Sequence, residues 1–470
     1  MVTHDRPLST MSPSSADQPS QQQQKQKQKP RKPKNKSKNK PDPQPAAPKV
    51  LLADKIGQSL YDRLIDSSSA NTTHSTSSSL KSLASSRTSH DSSSSSSSSS
   101  NPNRNHTHNK PLPLSHPPNP HPHVPPPPVS TITSLAAHHG QISHMGLLDP
   151  SYHLFLNTTH TGLLCFKVLN KVAIIAGDPL CHPSSFSSLL SEFKVYRKRQ
   201  HWGIAFLGAS PELLHHARIT NAHWTSLQFG QERVLNPLTS PILAETAGKR
   251  ILVQNKQLLK GGWEVDVYVP GGHGDEALES ELRGIYDEWR SERNTSGTTQ
   301  AFITEYDPFS MPELMTYVYC KGPGTGPDSA VCGFAALRWI GAKGGYHLDP
   351  CIARPGAARG LSDLLVFSAM ALLRKAGVGY LGFGYEPFEH LGEVVGLPGP
   401  VEKMTRMVYR YTFQRLPISG KKAYHDRFRP DEDLDRGLFL VFPAALPEVR
   451  QMVAMTHIAN ISIRRLVFRV

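Results

Sequence analysis

The sequence lacks the features of a membrane-spanning protein, a disulfide-stabilised protein or a zinc protein. Its apolar runs fall short of the ~18 residues that a membrane helix needs, and its polar N-terminus is unlike a secretory signal. Its five cysteines are scattered, with no Cys-x-x-Cys pair and no histidine at metal-ligand spacing. An odd, scattered set is typical of a reducing compartment. We therefore expect a cytoplasmic protein without a metal, and peripheral attachment to a membrane stays open.

Acidic residues are scarce in the first 130 residues, which hold no glutamate. This segment has 17 Lys/Arg and 7 Asp, so it contributes +10 to the formal net charge of +14. Its Gln/Lys, Ser and Pro/His tracts bury too little apolar surface to offset the entropy of ordering. We predict that residues 1–130 form a disordered, low-complexity basic arm. The basic tract 25–40 suits RNA or anionic lipid, but a solubilising role fits it as well.

One island in this arm, Val50 to Ile65, has leucine and isoleucine residues at helical spacing. Two interpretations are open. The island is either a helix that docks on a partner or membrane surface, or a transient helix without function.

The folded region begins near residue 131 and alternates strand and helix patterns. Strand-like segments, with Asn170-Lys171 as a hairpin turn, precede a helix from Ser184 to about Arg199. A second run of strands and helices repeats this order after residue 270. We predict a mixed α/β (α+β) fold with a first subdomain at 131–270 and a second, catalytic subdomain at 271–470.

The stretch 345–388 concentrates polar residues where strands end. It predicts a strand ending at Asp349-Pro350, a Gly/Pro/Arg loop, a helix from Leu361 to Lys375 that Gly377 stops, and a strand from Tyr380 to Tyr385. A strand–loop–helix–strand unit places polar groups at strand ends, where binding sites form. A merely solvated loop is the commoner outcome for such a unit.

This order of elements resembles the acetyltransferase (GNAT) fold, so a tandem GNAT-like architecture is expected. In that fold the loop corresponding to 350–360 cradles the CoA pyrophosphate with backbone N–H groups. The loop here contains Arg354-Pro355-Gly356, which departs from the GNAT fingerprint, and Pro355 removes a donor. CoA is therefore disfavoured, and a CoA-dependent N-acyltransferase is the second hypothesis.

A more specific resemblance covers roughly residues 138–470. Seven short motifs carry it: Gly177-Asp178-Pro179, Phe229-Gly230-Gln231-Glu232, Lys249-Arg250 with Gly261-Gly262, His347-Leu348-Asp349 with Arg354, Leu361 to Leu365, Leu381 to Gly384 with Pro387, and Tyr424 to Pro430. Their order resembles that in the catalytic region of the phosphatidylglycerol lysyltransferases, which are tRNA-dependent aminoacyltransferases built from two GNAT units. The family's Asp-Leu-Met-Arg motif has its arginine displaced to Arg354 here, and Arg427 replaces the lysine of Lys-Phe-x-Pro.

The resemblance implies an aminoacyltransferase whose cosubstrate is charged tRNA and which needs no further cofactor. Fungal relatives of this catalytic region are similar in lacking the membrane domain of the bacterial enzymes, and freestanding ones are linked to ergosteryl-glycine. We therefore expect glycyl-tRNA as donor and a sterol or phospholipid, foremost the 3β-hydroxyl of ergosterol, as acceptor. The third hypothesis is a non-catalytic RNA- or membrane-binding protein.

The resemblance points to Asp349 and Arg427 as catalytic residues. Asp349 either anchors the substrate α-ammonium or acts as the base for the acceptor hydroxyl, and Arg427 contacts the terminal tRNA phosphate or the developing oxyanion. The candidates for substrate binding are Arg354, Arg359, Asp363, Gly384 and Glu386. Plain structural roles compete with these: a strand-end turn for Asp349, a surface ion pair for Arg427 and a helix cap for Asp363.

Two basic helices are candidates for binding tRNA. The expected contacts are Lys249, Arg250, Lys256 and Lys260 on one helix and Lys403, Arg406 and Arg410 on the other. The second set is spaced i, i+3, i+7 and shares one helix face. A solvated face is the usual outcome for such runs.

Overall fold

The computed structural model describes residues 50–69, 128–220, 222–271, 274–295, 306–324, 330–414 and 419–459. Residues 1–49 and 70–127, which include the basic tract 25–40, lie outside the described residues. The prediction that they are disordered therefore stays a prediction.

The described residues contain twelve strands in one continuous sheet. The strands are β1 His153–Leu156, β2 Leu163–Leu169, β3 Val172–Ala176, β4 Gly203–Ala209, β5 Thr225–Leu235, β6 Glu264–Tyr268, β7 Met315–Lys321, β8 Val331–Ile340, β9 Gly345–Ala353, β10 Leu381–Pro387, β11 Val394–Val395 and β12 Arg436–Phe442. Their order across the sheet is β1-β2-β3-β4-β12-β5-β10-β9-β8-β7-β6, and β11 pairs with β5.

Ten α-helices of the described residues cover this sheet. They are α1 Leu52–Ser69, α2 Val129–His139, α3 Phe186–Arg199, α4 Pro211–Ile219, α5 Lys249–Lys260, α6 Glu276–Thr295, α7 Leu361–Ala376, α8 Gly399–Phe413, α9 Ser419–Asp426 and α10 Val449–Ile458. A 3-10 helix, Ile142–Leu148, enters between the two halves of the sheet and packs against both.

Two parts of the sheet repeat one topology. β1, β2 and β3 form an antiparallel meander, and α3 then connects β3 to β4, which runs parallel to it. β6 to β9 form a second antiparallel meander, and α7 connects β9 to the parallel β10. The predicted mixed α/β, tandem GNAT-like fold is confirmed. The predicted hairpin is also present, because Asn170 and Lys171 have φ of 51° and 57° between paired strands.

The junction of the two halves does not follow the predicted boundary at residue 270. β6 precedes that boundary but pairs with β7 in the second half. β12 lies near the C-terminus but is inserted between β4 and β5 of the first half. β5 then pairs antiparallel with β10 and makes the sheet continuous. Polar residues from distant parts of the chain therefore meet along the seam of β12, β5 and β10.

Helix α7 ends at the predicted glycine, and it is buried on nearly all sides. Gly377, with φ of 77°, donates its N–H to the Arg374 carbonyl and ends the helix. Nearly all of α7 is buried because the sheet covers one side and α1 covers another. A Cβ built on Gly57 of α1 would lie 2.5 Å from the Ala371 carbonyl oxygen. Only glycine permits so close an approach of the two helices.

Helix α1 is the apolar island of the N-terminal arm. Ile56, Leu60 and Leu64 join the same core as α7, and Arg63 forms an ion pair with Asp266 at 2.9 Å. The surface on which this helix docks is therefore this chain's own α7. The predicted arm boundary at residue 130 assigns α1 to the wrong part of the molecule, since its leucines contribute to the central core.

Replacing Leu60 with alanine is expected to lower the free energy of unfolding by about 2–5 kcal/mol, the usual cost of a cavity at a buried leucine. Leu60 is 1% exposed in the core that α1 shares with α7. Chemical denaturation measures the change, and Gln58→Ala on the exposed side of α1 is the matched control. Equal stability of the two variants would show that α1 is not part of the folded unit.

Candidate active site

A cavity of about 350 Å³ lies at the N-terminus of α7. The loop after β9, helix α5 and the segment after α9 form its walls. Gly356 and Gly360 have φ of 80° and 93°, a conformation that glycine adopts without steric cost, and they turn the loop into the helix. The charged residues among its lining are Arg250, Arg354, Arg359, Asp363 and Arg427. All five were predicted from the sequence as site residues, and we call this space the arginine cavity.

Arg427 and Asp363 form the ion pair at the centre of the arginine cavity. An Arg427 Nη donates to an Asp363 carboxylate oxygen at 2.9 Å, and the guanidinium lies 4.7 Å from the centre of the Tyr424 ring. Burial raises the pKa of the Asp363 carboxyl, and the charges of Arg427 and Arg250 partly offset this. The surface ion pair that was the alternative for Arg427 would involve the nearby Asp426 or Asp431, and neither pairs with it. Asp426 binds Arg233 instead, and Asp431 accepts from Asn236.

The arginine cavity has a surplus of positive charge. Arg354 is held at its edge by Glu288 at 3.2 Å and Glu281 at 3.7 Å. Arg250 and Arg359 have no ion-pair partner among the residues that the structure describes. Arg250, Arg359 and Arg427 thus face the one carboxylate of Asp363. Such a cavity favours a ligand with more than one negative charge.

Asp349 is placed differently from Arg427. It lies in β9, where the pairing with β8 shifts register, and it does not line the arginine cavity. Leu348 packs in the core shared with α7, so strand alternation turns Asp349 to the opposite face of the sheet. There its charge acts on Tyr306 and Arg338. The structure therefore separates the two residues predicted to be catalytic.

Arg338 is a buried cation beside Asp349 that sequence reasoning missed. It is 1% exposed, and one Nη donates to the Gln141 carbonyl oxygen at 2.9 Å. Its Nε and other Nη have no hydrogen-bond partner among the described residues. Burial lowers the pKa of Arg338 to about 10, and the charge of Asp349 counteracts this. An arginine within the otherwise apolar β8 was the available signal, because an arginine is rarely buried without a specific role.

A second cavity, of about 910 Å³, lies on the other side of the segment 422–430. Arg233 lines it and is 7% exposed, with side-chain nitrogens 2.6 Å from Asp435, 3.0 Å from Asp426 and 3.2 Å from Glu386. Glu386, predicted for substrate binding, also accepts from Lys422 at 3.0 Å. This network joins β5, β10, α9 and the residue before β12. It forms only because β5 pairs with both β10 and β12, which are distant from it in sequence.

Gly384, also predicted for substrate binding, lines neither cavity. Its φ of 95° marks an irregularity of β10, where the pairing with β5 shifts register between Gly382 and Tyr385. Its observed role is to supply this backbone conformation next to Glu386.

Comparison with known proteins places this architecture in a family. The family model described as "Phosphatidylglycerol lysyltransferase, C-terminal" matches residues 133–437. The chain belongs to this family. The predicted class of enzyme, a tRNA-dependent aminoacyltransferase, is the class of the family, so that prediction is confirmed. No curated protein sequence matches the chain.

Two solved structures share the fold of this family member. L-PGS from Bacillus licheniformis has 17% sequence identity and a TM-score of 0.54, covering 73% of this chain and 98% of its own. The C-terminal (DUF2156) domain of a protein from Agrobacterium fabrum, assigned as a lysylphosphatidylglycerol synthetase, has 17% identity and a TM-score of 0.52, covering 70% and 96%. At this identity the likeness concerns the fold alone.

Two of the family-like motifs have a structural role here. Asp178 is buried and accepts hydrogen bonds from the Ser210 amide and hydroxyl and from Gln141. Gly230 lets β5 approach β10, because a Cβ there would lie 2.5 Å from the Glu386 carbonyl oxygen. Asp178 thus links the ends of β3 and β4, and Gly230 permits the close pairing of β5 with β10. Gln231 of the second motif lines the larger cavity.

Glu232, in the second of these motifs, is a titratable group that sequence reasoning did not single out. It is 5% exposed, and its carboxylate accepts from the Tyr380 hydroxyl at 2.9 Å. Burial raises the pKa of Glu232 to about 7, although the hydrogen bond from Tyr380 acts in the other direction. This carboxyl therefore changes charge near neutral pH.

Glutamine at position 232 is expected to remove one pH-dependent component of stability. The pKa of Glu232 is about 7 in the folded protein, against an ordinary value of 4.5. The folded state therefore favours the protonated carboxyl, and stability falls as the pH rises from 4.5 to 7. The loss amounts to about 3 kcal/mol in the free energy of unfolding. Unfolding measured from pH 4.5 to 7 should depend less on pH in Glu232→Gln than in the native protein. The exposed control Glu389→Gln should retain the native dependence, and an unchanged slope in Glu232→Gln would refute the buried titration.

The two basic helices differ in how their cations are placed. On α5, Lys249, Lys256 and Lys260 are exposed on one face, and Lys256 lies 3.4 Å from Glu245. On α8, Arg406 donates to Glu402 and to the carbonyls of residues 391 and 392, so it fixes the helix to the fold. Lys403 and Arg410 are exposed. Within the described ranges, no helix combines the length and apolar character required to cross a bilayer.

Proposed function

We propose that this enzyme transfers an amino acid from charged tRNA to the hydroxyl of a membrane lipid, with glycine and the 3β-hydroxyl of ergosterol as the substrates. The observation that carries the proposal is the arginine cavity at the N-terminus of α7. A helix N-terminus and unpaired arginines both favour phosphate. The 3′ end of tRNA supplies several phosphates beside the aminoacyl ester.

The residues around this cavity suit an exchange of esters. The lipid hydroxyl oxygen attacks the carbonyl carbon of the aminoacyl ester, a tetrahedral oxyanion forms, and the ribose oxygen leaves with a proton. The Arg427 side chain is 38% exposed. It is suited to contact the terminal phosphate or that oxyanion. Asp349 lies outside this cavity, on the other face of the sheet with Arg338. It is suited to accept the hydroxyl proton or to hold the substrate α-ammonium where the substrate extends to that face.

We assign the rest of the tRNA to the surface of α5. Arg250 of this helix lines the arginine cavity, and Lys249, Lys256 and Lys260 extend from it along the exposed side. A strip of cations continuous with the cavity fits a polyanion that enters by its 3′ end. Arg354 and Arg359 complete the phosphate contacts at the cavity mouth.

Expression in yeast with lipid analysis tests the proposal. Mass spectrometry of the lipid extract should find a new aminoacyl-sterol, absent from cells that express Arg427→Ala. An aminoacylated phospholipid in place of the sterol product would keep the reaction and change the acceptor. No new aminoacyl-lipid in cells containing the folded protein would refute the proposed function.

A further inference from the structure

Helix α8 presents an apolar stripe to solvent. Met404, Met407, Val408 and Tyr411 occur at i, i+3, i+4 and i+7, so they share one face of the helix. Their exposed fractions are 58%, 71%, 58% and 50%. No residue of α8 is buried. We call these four residues the α8 stripe; contiguous apolar side chains at such exposure mark an interaction surface.

The opposite side of α8 is fixed to the fold, so the stripe is held outward. The Tyr409 hydroxyl lies 2.9 Å from the Phe229 carbonyl oxygen and 2.8 Å from that of Phe388. Arg406 donates to the carbonyl oxygens of Leu391 and Gly392. These contacts anchor α8 to the chain that leaves β10. Rotation of the stripe towards the protein would break them.

A second helix that packs on the same core cluster also exposes apolar side chains. α10 covers the same core cluster as Tyr409, and it carries exposed Val449 and Met452, with Leu446 just before it. Seven of the 14 exposed large apolar side chains of the described residues lie on α8 or in 446–452. They are concentrated on one face of the sheet, whereas scattered single residues would need no explanation.

The charge at the edge of the stripe indicates its partner. Lys403 and Arg410 are exposed beside it and have no ion-pair partner among the described residues. The stripe itself holds no acidic side chain. An apolar stripe with cations at its edge is the pattern of helices that lie in the headgroup region of anionic bilayers. A protein partner would require no such excess of cations.

We propose that the α8 stripe docks the enzyme on an anionic lipid bilayer. The choice of a bilayer rests on the proposed lipid acceptor, but docking itself requires no catalysis. α8 is anchored to the residues that follow β10, and Glu386 near the end of β10 contacts Arg233 at the second cavity. Docking through α8 therefore brings the second cavity towards the membrane that holds the acceptor, and the arginine cavity lies across the segment 422–430 from it.

Vesicle flotation of the full chain tests the proposal. The variant Met404→Glu/Met407→Glu should bind vesicles of phosphatidylcholine and phosphatidylserine about tenfold or more weakly than the native chain. Val195→Glu/Ile219→Glu is the matched control, since Val195 and Ile219 are 54% and 64% exposed on helices whose cores lie on the other face of the sheet. Circular dichroism checks that both variants fold.

The outcomes separate docking from catalysis. Docking predicts that the α8 variant loses transfer to vesicles but keeps transfer to detergent-solubilised acceptor. Native binding by the α8 variant would overturn the proposal, and an equal loss in the control would do the same. Altered tRNA binding with unchanged vesicle binding would also overturn it, in favour of RNA at α8. If the native chain binds vesicles but neither it nor the variants transfer an amino acid, the proposed function is refuted and the docking proposal stands.

Discussion

Alanine at position 427 is expected to lower kcat/KM for aminoacyl transfer by about 10²–10³-fold, the usual cost of losing one preorganised contact to a developing charge. Arg427 lines the arginine cavity and is fixed in place by Asp363 at 2.9 Å and by the Tyr424 ring. Steady-state kinetics with charged tRNA and lipid vesicles measure the effect. Lysine at this position should recover part of the activity, because it keeps the charge and loses the planar group.

The partner of Arg427 supplies the control. Asparagine at Asp363 removes the ion pair but leaves the guanidinium in the cavity, so its loss of activity should be smaller. Arg427→Ala leaves the buried carboxylate without its ion-pair partner, which should lower stability as well, and unfolding measured in parallel separates the two effects. Activity of folded Arg427→Ala within about twofold of native would exclude Arg427 from the reaction.

Asparagine at position 349 is expected to lower kcat by about 10²–10⁴-fold if the carboxylate is the base for the acceptor hydroxyl. If Asp349 instead holds the substrate α-ammonium in ground state and transition state alike, KM for charged tRNA should rise while kcat stays near native. The kinetic split therefore distinguishes the two roles. Asp349 interacts with Arg338 on the face of the sheet away from Arg427, so this experiment also tests whether the reaction reaches that face.

Asp266→Asn is the matched control for this variant. Asp266 is also a strand carboxylate, on β6, and it pairs with Arg63 at 2.9 Å away from both cavities. Its substitution should leave the kinetics near native. If Asp349→Asn behaves like Asp266→Asn, Asp349 is a structural residue and the catalytic group lies elsewhere, foremost in the arginine cavity.

Local features of the fold were predictable from the sequence because their causes are local. The hairpin needs two residues that tolerate positive φ, and Asn170-Lys171 supplies them. The end of α7 needs a left-handed residue, and Gly377 supplies it. The grouping of Arg354, Arg359 and Asp363 follows from their place in one loop and the first turn of one helix.

The remaining features depend on contacts between distant segments. The insertion of β12 between β4 and β5 has no local signal, and it brings Asp435 to Arg233. The docking of α1 on α7 buries a side of α7 that the sheet does not cover. Asp349 and Arg427, both expected to be catalytic, lie apart for the same reason. The alternation of β9 places Asp349 on one face of the sheet, and the segment after α9 reaches the other.

Transfer of a labelled amino acid from tRNA tests the central claim most directly. Purified enzyme is mixed with radiolabelled glycyl-tRNA and vesicles that contain ergosterol, and the label in the organic phase is measured with and without prior RNase treatment. The account predicts labelled lipid that is abolished by RNase and nearly absent with Arg427→Ala. Absence of labelled lipid with the folded enzyme, or labelled lipid that RNase treatment leaves unchanged, would contradict it.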